Sequence, residues 1–121
     1  MTLRDQSPLL LHNPNCSKSR AAKALLEARA IEFRERLYLE DPLDRTELEE
    51  LAELLGLHPH AWTRARESAY AETGLGTDSS VEEHFEAMRA HPVLMERPIL
   101  IHANRAAIGR PTENLAALLD D

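Results

Sequence analysis

Among its 121 residues the sequence has a single cysteine, Cys16. That scarcity excludes an internal disulfide framework and a cysteine-rich zinc site. It also excludes a Cys-x-x-Cys redox pair, because the stretch reads Cys16-Ser17-Lys18-Ser19, with a hydroxyl where the second thiol would stand. An oxidised or adducted Cys16 must therefore be resolved by a thiol from another molecule. Long apolar runs are missing too. No stretch approaches the ~18 continuous apolar residues of a membrane span. Residues 1–7 are polar and the apolar run behind them is short, so no export signal is expected. A free thiol without such a signal fits a reducing cytoplasm. Positive charge is also short: 14 Lys and Arg against 21 Asp and Glu leave a formal net charge of -7, which argues against non-specific nucleic-acid binding. A local cluster of arginines can still hold a small anion. No internal repeat, low-complexity tract or linker divides the chain, so residues 1–121 are expected to fold as one domain around a core that needs no disulfides.

What the chain does have is concentrated near its start. Leu9-Leu10-Leu11-His12 is a short apolar run that breaks at Asn13-Pro14 and is followed by helix formers such as Ala21, Ala22, Ala24, Leu25 and Leu26. The pattern predicts a buried strand, a tight loop and a helix over residues 17–29, with Cys16 at the first turn. A helix start presents unpaired N–H groups and the positive end of the macrodipole, both of which favour an anion. Such surroundings bring a cysteine pKa from ~8.5 into the range of roughly 3.5–7.5. Lys18 and Arg20 are expected to add positive charge. A lone cysteine is ordinarily a small buried hydrophobe, but Asn15, Ser17, Lys18 and Ser19 are not core residues. The residues point to a reactive thiolate in an anion-binding loop.

Further along, Ile31 to Leu39 begins with period-two alternation and predicts a second strand, parallel to the first across the helix. Asp44-x-x-Glu47 is a capping-box pattern, Leu48, Leu51, Leu54 and Leu55 make an apolar face, and Gly56 is a natural helix stop. His58-Pro59-His60 opens a short helical segment. Ser79 with Glu82, or Ser80 with Glu83, caps a helix bearing Val81, Phe85 and Met88 that ends near His91-Pro92. Pro98-Ile99-Leu100-Ile101 and Ala106-Ala107-Ile108 predict a hairpin turned at Ala103-Asn104-Arg105, and a last amphipathic helix carries Leu115, Leu118 and Leu119. This order is α/β: a mixed four-stranded sheet of thioredoxin/glutaredoxin-like type with an inserted helical block.

Several separated motifs make the chain resemble the ArsC-type arsenate reductases, the glutaredoxin- and glutathione-dependent family built on a thioredoxin-like fold. They are His12-Asn13-Pro14-x-Cys16-x-x-Ser19-Arg20, Tyr38-Leu39-Glu40, Arg64 with Tyr70, Met95-Glu96-Arg97-Pro98-Ile99 and Ile108-Gly109-Arg110-Pro111. The match spans about Leu9 to Leu119 and looks nearest to an arsenate-reductase-like branch. The resemblance implies reduction of arsenate to arsenite in the cytoplasm, with Cys16 as nucleophile and His12 in support. It implies oxyanion binding by Arg64, Arg97, Arg110 and Ser19, and a cis-proline at Pro98. It further implies glutathione as co-substrate, glutaredoxin as partner, no bound cofactor and no metal, in a monomer that engages neither nucleic acid nor membrane.

The residues themselves support part of this. Arg97 and Arg110 each directly precede a proline, which holds them extended, and a guanidinium fork suits a tetrahedral oxyanion. Arg66 competes with Arg64 for the anion; otherwise it reads, like Arg29, Arg34, Arg36, Arg45, Arg89 and Arg105, as a surface ion-pair partner. His12 reads either as support for the sulfur or as a strand-end histidine. His58, His60, His84, His91 and His102 lack metal-ligand spacing, while Trp62, Phe33, Phe85 and Tyr38 read as core. Two other functions fit the same residues: a glutathione-linked thiol oxidoreductase with another substrate, and a non-catalytic Spx-like regulator that binds a protein such as RNA polymerase.

Overall fold

A computed structural model describes residues 2–120. Its first strand, β1 (Leu9–His12), leads through the Cys16 loop into α1 (Ser17–Ala28) and on to β2 (Arg34–Leu37). The middle of the chain is helical: α2 (Arg45–Leu55), a 3-10 turn at Pro59–Trp62, α3 (Ser68–Thr73) and α4 (Val81–Ala90). A hairpin of β3 (Ile99–His102) and β4 (Arg105–Ile108) and a last helix, α5 (Glu113–Asp120), complete it. The strands form one sheet in the order β2-β1-β3-β4, with β1 parallel to β2 and both other pairings antiparallel. This is the mixed α/β sheet expected.

Strand alternation sorts the core onto two faces. Leu10 and Leu100 pack with Ala22 and Leu26 of α1 and Leu115 and Leu118 of α5. Leu9, Leu11, Ile99 and Ile101 pack on the other side with Leu48 and Leu51 of α2, Phe85 and Met88 of α4, and Trp62. Of the inserted helices, α2 and α4 start on complete capping boxes, Asp44 with Glu47 and Ser80 with Glu83. Gly56 closes α2 in the left-handed conformation, at φ 68°. Of the two candidate caps for α4 it is Ser80 that serves; Ser79 Oγ instead accepts the Gly76 N–H at 3.0 Å.

Three elements differ from the sequence reading. β2 is four residues rather than the predicted stretch from Ile31 to Leu39. Ile31 and Phe33 pack beside the α1 face outside the ladder, so Phe33 is only half-buried. Helix α3 has no apolar stripe to announce it, and the 3-10 turn Arg4–Gln6 is held from a distance, by the buried Glu50 carboxylate accepting the Leu3 and Arg4 N–H groups at 2.8 and 3.1 Å. Among the described residues no helix is long and apolar enough to cross a membrane.

The β3/β4 register, Ile99 opposite Ile108, continues outward to bring Pro98 opposite Gly109 and Arg97 opposite Arg110. Gly109 donates its N–H to the Pro98 carbonyl at 2.8 Å, and a Cβ on it would lie 2.8 Å from Pro98 Cγ and 3.1 Å from a Leu115 methyl. Only glycine allows that approach. Gly109→Ala is expected to cost about 1–3 kcal/mol, the usual range for overpacking, read by chemical denaturation.

Candidate active site

One end of the sheet gathers the chemistry. The carboxyl ends of β1, β2 and β4 and the amino end of β3 all lie there. Leu11 pairs with Ile99, so the loop after β1 leaves the sheet beside the segment before β3, which carries Arg97. The turn is set by short hydrogen bonds: Cys16 N–H to the Asn13 carbonyl at 2.9 Å, and Asn15 N–H to Asn13 Oδ1 at 3.0 Å. Cys16 is the N-cap residue of α1, in extended backbone, and is partly exposed.

Partial burial pushes the Cys16 thiol up, but opposing contacts win and lower its pKa to about 7. In order these are the Ser19 N–H, the Arg97 guanidinium and the Lys18 N–H. The two backbone groups face the sulfur without closing a capping hydrogen bond. The charge beside the thiolate therefore comes from Arg97, not from Lys18 and Arg20 as the sequence suggests. Lys18 contributes its backbone, and Arg20 Nη1 donates to the Pro14 carbonyl at 3.0 Å, tying the loop down.

Arg110 joins Arg97 at the sulfur. Its Nη2 lies 3.5 Å from Cys16 Sγ and its Nε donates to the Arg97 carbonyl at 2.6 Å. Arg97 is largely buried, and among the described residues its Nε and Nη1 have no hydrogen-bond partner, although Nη1 stands 4.0 Å from Glu67 Oε1. A buried cation with unused donors beside a lowered thiol is a ready seat for an anion. Tyr38 is fully buried, as expected of a core residue, and it also touches this site through Arg97. Burial pushes the Tyr38 hydroxyl up while Arg97 draws it down. The peptide between Arg97 and Pro98 is cis, in agreement with the resemblance.

Arg64 is placed differently. Its Nε pairs with Glu67 Oε1 at 3.0 Å and its Nη1 with Glu96 Oε1 at 3.3 Å, and it lines a cavity of about 400 Å³ together with Arg110. Two arginines thus meet the sulfur, and the third shares a cavity with one of them. Nothing in the sequence marks out Glu67 or Glu96 as its braces.

Two expected roles are corrected. Ser19 is fully buried, and its hydroxyl accepts the Asn13 N–H at 3.1 Å. The loop uses its side chain as an anchor, and only its backbone faces the sulfur. His12 is not turned to Cys16. It shares the face of Leu10, beneath α1, where Nε2 lies 2.9 Å from Glu35 Oε1 and the same oxygen lies 3.3 Å from Lys23 Nζ. Burial lowers its pKa against the pull of Glu35, which favours a neutral ring. His12 is the strand-end histidine of the two readings. Arg29, Arg45 and Arg89 make the surface ion pairs assigned to them, whereas the Arg36–Glu47 pair is largely buried. Arg66 makes no ion pair among the described residues: it is exposed and lines the cavity. Among the described residues no group of three or more His, Cys, Asp or Glu is arranged to hold a metal.

With this geometry in view, the ArsC family model matches residues 11–118. A protein named arsenate reductase from Neisseria meningitidis serogroup A is 41% identical over 112 residues, covering 91% of this chain and 96% of that one. Another of that name from Haemophilus influenzae is 38% identical over 115 residues, covering 93% and 99%. A solved structure of an arsenate reductase from Vibrio cholerae superposes with a TM-score of 0.86 at 40% identity, over 90% of this chain and 94% of that one.

Proposed function

The chain belongs to the ArsC family, and from that we propose that it reduces arsenate to arsenite through an adduct on Cys16, resolved by glutathione and then glutaredoxin. The observation that carries this reading is the pairing of a thiol at about 7 with an adjoining arginine whose buried Nε and Nη1 make no hydrogen bond among the described residues. A tetrahedral oxyanion accepts from those donors and from Arg110, which brings its central atom toward the sulfur. The Cys16 thiolate forms a sulfur–arsenic bond, and one oxygen, protonated, leaves as water. A second thiol then attacks, arsenic takes up two electrons and departs as arsenite, and the two sulfurs that supplied them end in one mixed disulfide. No second cysteine in the chain can do this, so the incoming thiol is external. A further thiol, expected from glutaredoxin, exchanges with the mixed disulfide and returns Cys16 to its reduced form. The reading calls for no bound cofactor.

Steady-state reduction with glutathione, glutaredoxin and glutathione reductase, followed through NADPH, tests this. Oxidation that depends on arsenate is expected, and leaving out glutaredoxin is expected to trap a glutathione–Cys16 disulfide visible by mass spectrometry. Turnover that ignores arsenate, or an unmodified Cys16 after arsenate and glutathione, overturns it.

A further inference from the structure

The cavity that reaches Arg110, the neighbour of the sulfur, has an odd charge pattern for an oxyanion seat. Arg64, Arg66, Glu96 and Arg110 all line it, and a carboxylate among the walls repels a bare anion. Its volume of about 400 Å³ also far exceeds what one tetrahedral ion fills; roughly 300–1,000 Å³ is the range for small organic ligands. The four charges are not equally committed. Arg64 is held by two carboxylates, and Arg110 by the Arg97 carbonyl and the sulfur. Arg66 has no hydrogen bond or ion pair with any described residue. Glu96 engages Arg64 through Oε1 alone. One uncommitted cation and one partly used carboxylate in the same cavity complement an ammonium and a carboxylate on one carbon, the headgroup of an amino acid.

We propose that this cavity binds the amino-acid end of the resolving thiol, with Arg66 taking its carboxylate and Glu96 its ammonium. The inference rests on the reductase reading for its purpose, because that reading requires an external thiol. Arg110 lines this cavity and also lies 3.5 Å from the sulfur, so a thiol anchored by Arg66 and Glu96 has a route for its own sulfur to the adduct. The bond formed there is the sulfur–sulfur bond of the step above, with the same two electrons passing to arsenic. Glutathione, whose γ-glutamyl end is such a headgroup, is the probe.

Two measurements test the site. Calorimetric titration with S-methylglutathione, which cannot react, is expected to give a dissociation constant about tenfold weaker in Arg66→Gln, and also for N-acetyl-S-methylglutathione on the unaltered protein, as lost charged hydrogen bonds require. In turnover, the ratio of kcat/KM with glutathione to that with 2-mercaptoethanol is expected to fall about tenfold in Arg66→Gln, with Arg66→Lys recovering part of it. Equal affinities, or an unmoved ratio, overturn the proposal. If arsenate turnover fails with every thiol while S-methylglutathione binding still depends on Arg66, the reductase reading falls and the site stands. If turnover proceeds but Arg66→Gln leaves both readouts as they were, the site falls and the reductase stands.

Discussion

Cys16→Ser is expected to abolish arsenate reduction, by at least about a thousandfold in kcat, as removal of a covalent nucleophile does. The loss is chemical and not structural. Cys16 is partly exposed and belongs to neither core cluster, so serine leaves the packing intact and the unfolding midpoint is expected to stay in place. Serine cannot supply an electron or close a mixed disulfide, and no other thiol in the chain can stand in for the lost one. Steady-state rates with unfolding curves on the same samples check this. Reduction at the parental rate by the serine protein would remove the thiol from the mechanism.

Arg97→Ala has the second largest expected effect, a loss of about 10²–10³ in kcat/KM for arsenate, the range for removing a fixed donor to a developing oxyanion. Two causes combine. Nε and Nη1, which make no hydrogen bond among the described residues, disappear from the anion seat, and the largest side-chain contribution lowering the Cys16 thiol goes with them. The alkylation midpoint of Cys16 is therefore expected to move up from about 7 toward the ordinary cysteine value. Arg97→Lys keeps a charge but not the fork, and recovers only part of the loss. By linkage, a thiol whose pKa is lowered on folding adds stability at pH above its unfolded value. That contribution is lost as pH falls through about 7. An Arg97→Ala protein with unchanged kcat/KM and an unmoved midpoint would show that the arginine serves the fold alone.

Much of this site is legible in the sequence, and the illegible part has a common cause. Cys16 at a helix start, both capping boxes, the hairpin, and Arg97 facing Arg110 across it all follow from spacings of a few residues. His12 and Ser19 flank the right loop, at the end of β1 and in the first turn of α1, but their side chains are claimed by Glu35 and by the Asn13 N–H. Which way a polar group turns depends on neighbours the chain order does not reveal. Arg64 shows this best, since one of its two carboxylate partners lies 32 residues away. The lack of a partner for Arg66 among the described residues is equally invisible, because a chain with 21 acidic residues makes pairing the natural expectation. Glu67, Glu96 and the second duty of Tyr38 emerge only once the sheet end is assembled.

The most direct measurement is the alkylation rate of Cys16 by iodoacetamide as a function of pH, with and without arsenate. A single cysteine makes the signal unambiguous. A midpoint near 7, with alkylation slowed by arsenate, is the predicted result. A midpoint at the ordinary thiol value of ~8.5, with arsenate giving no protection, would contradict both the activated sulfur and the anion seat beside it.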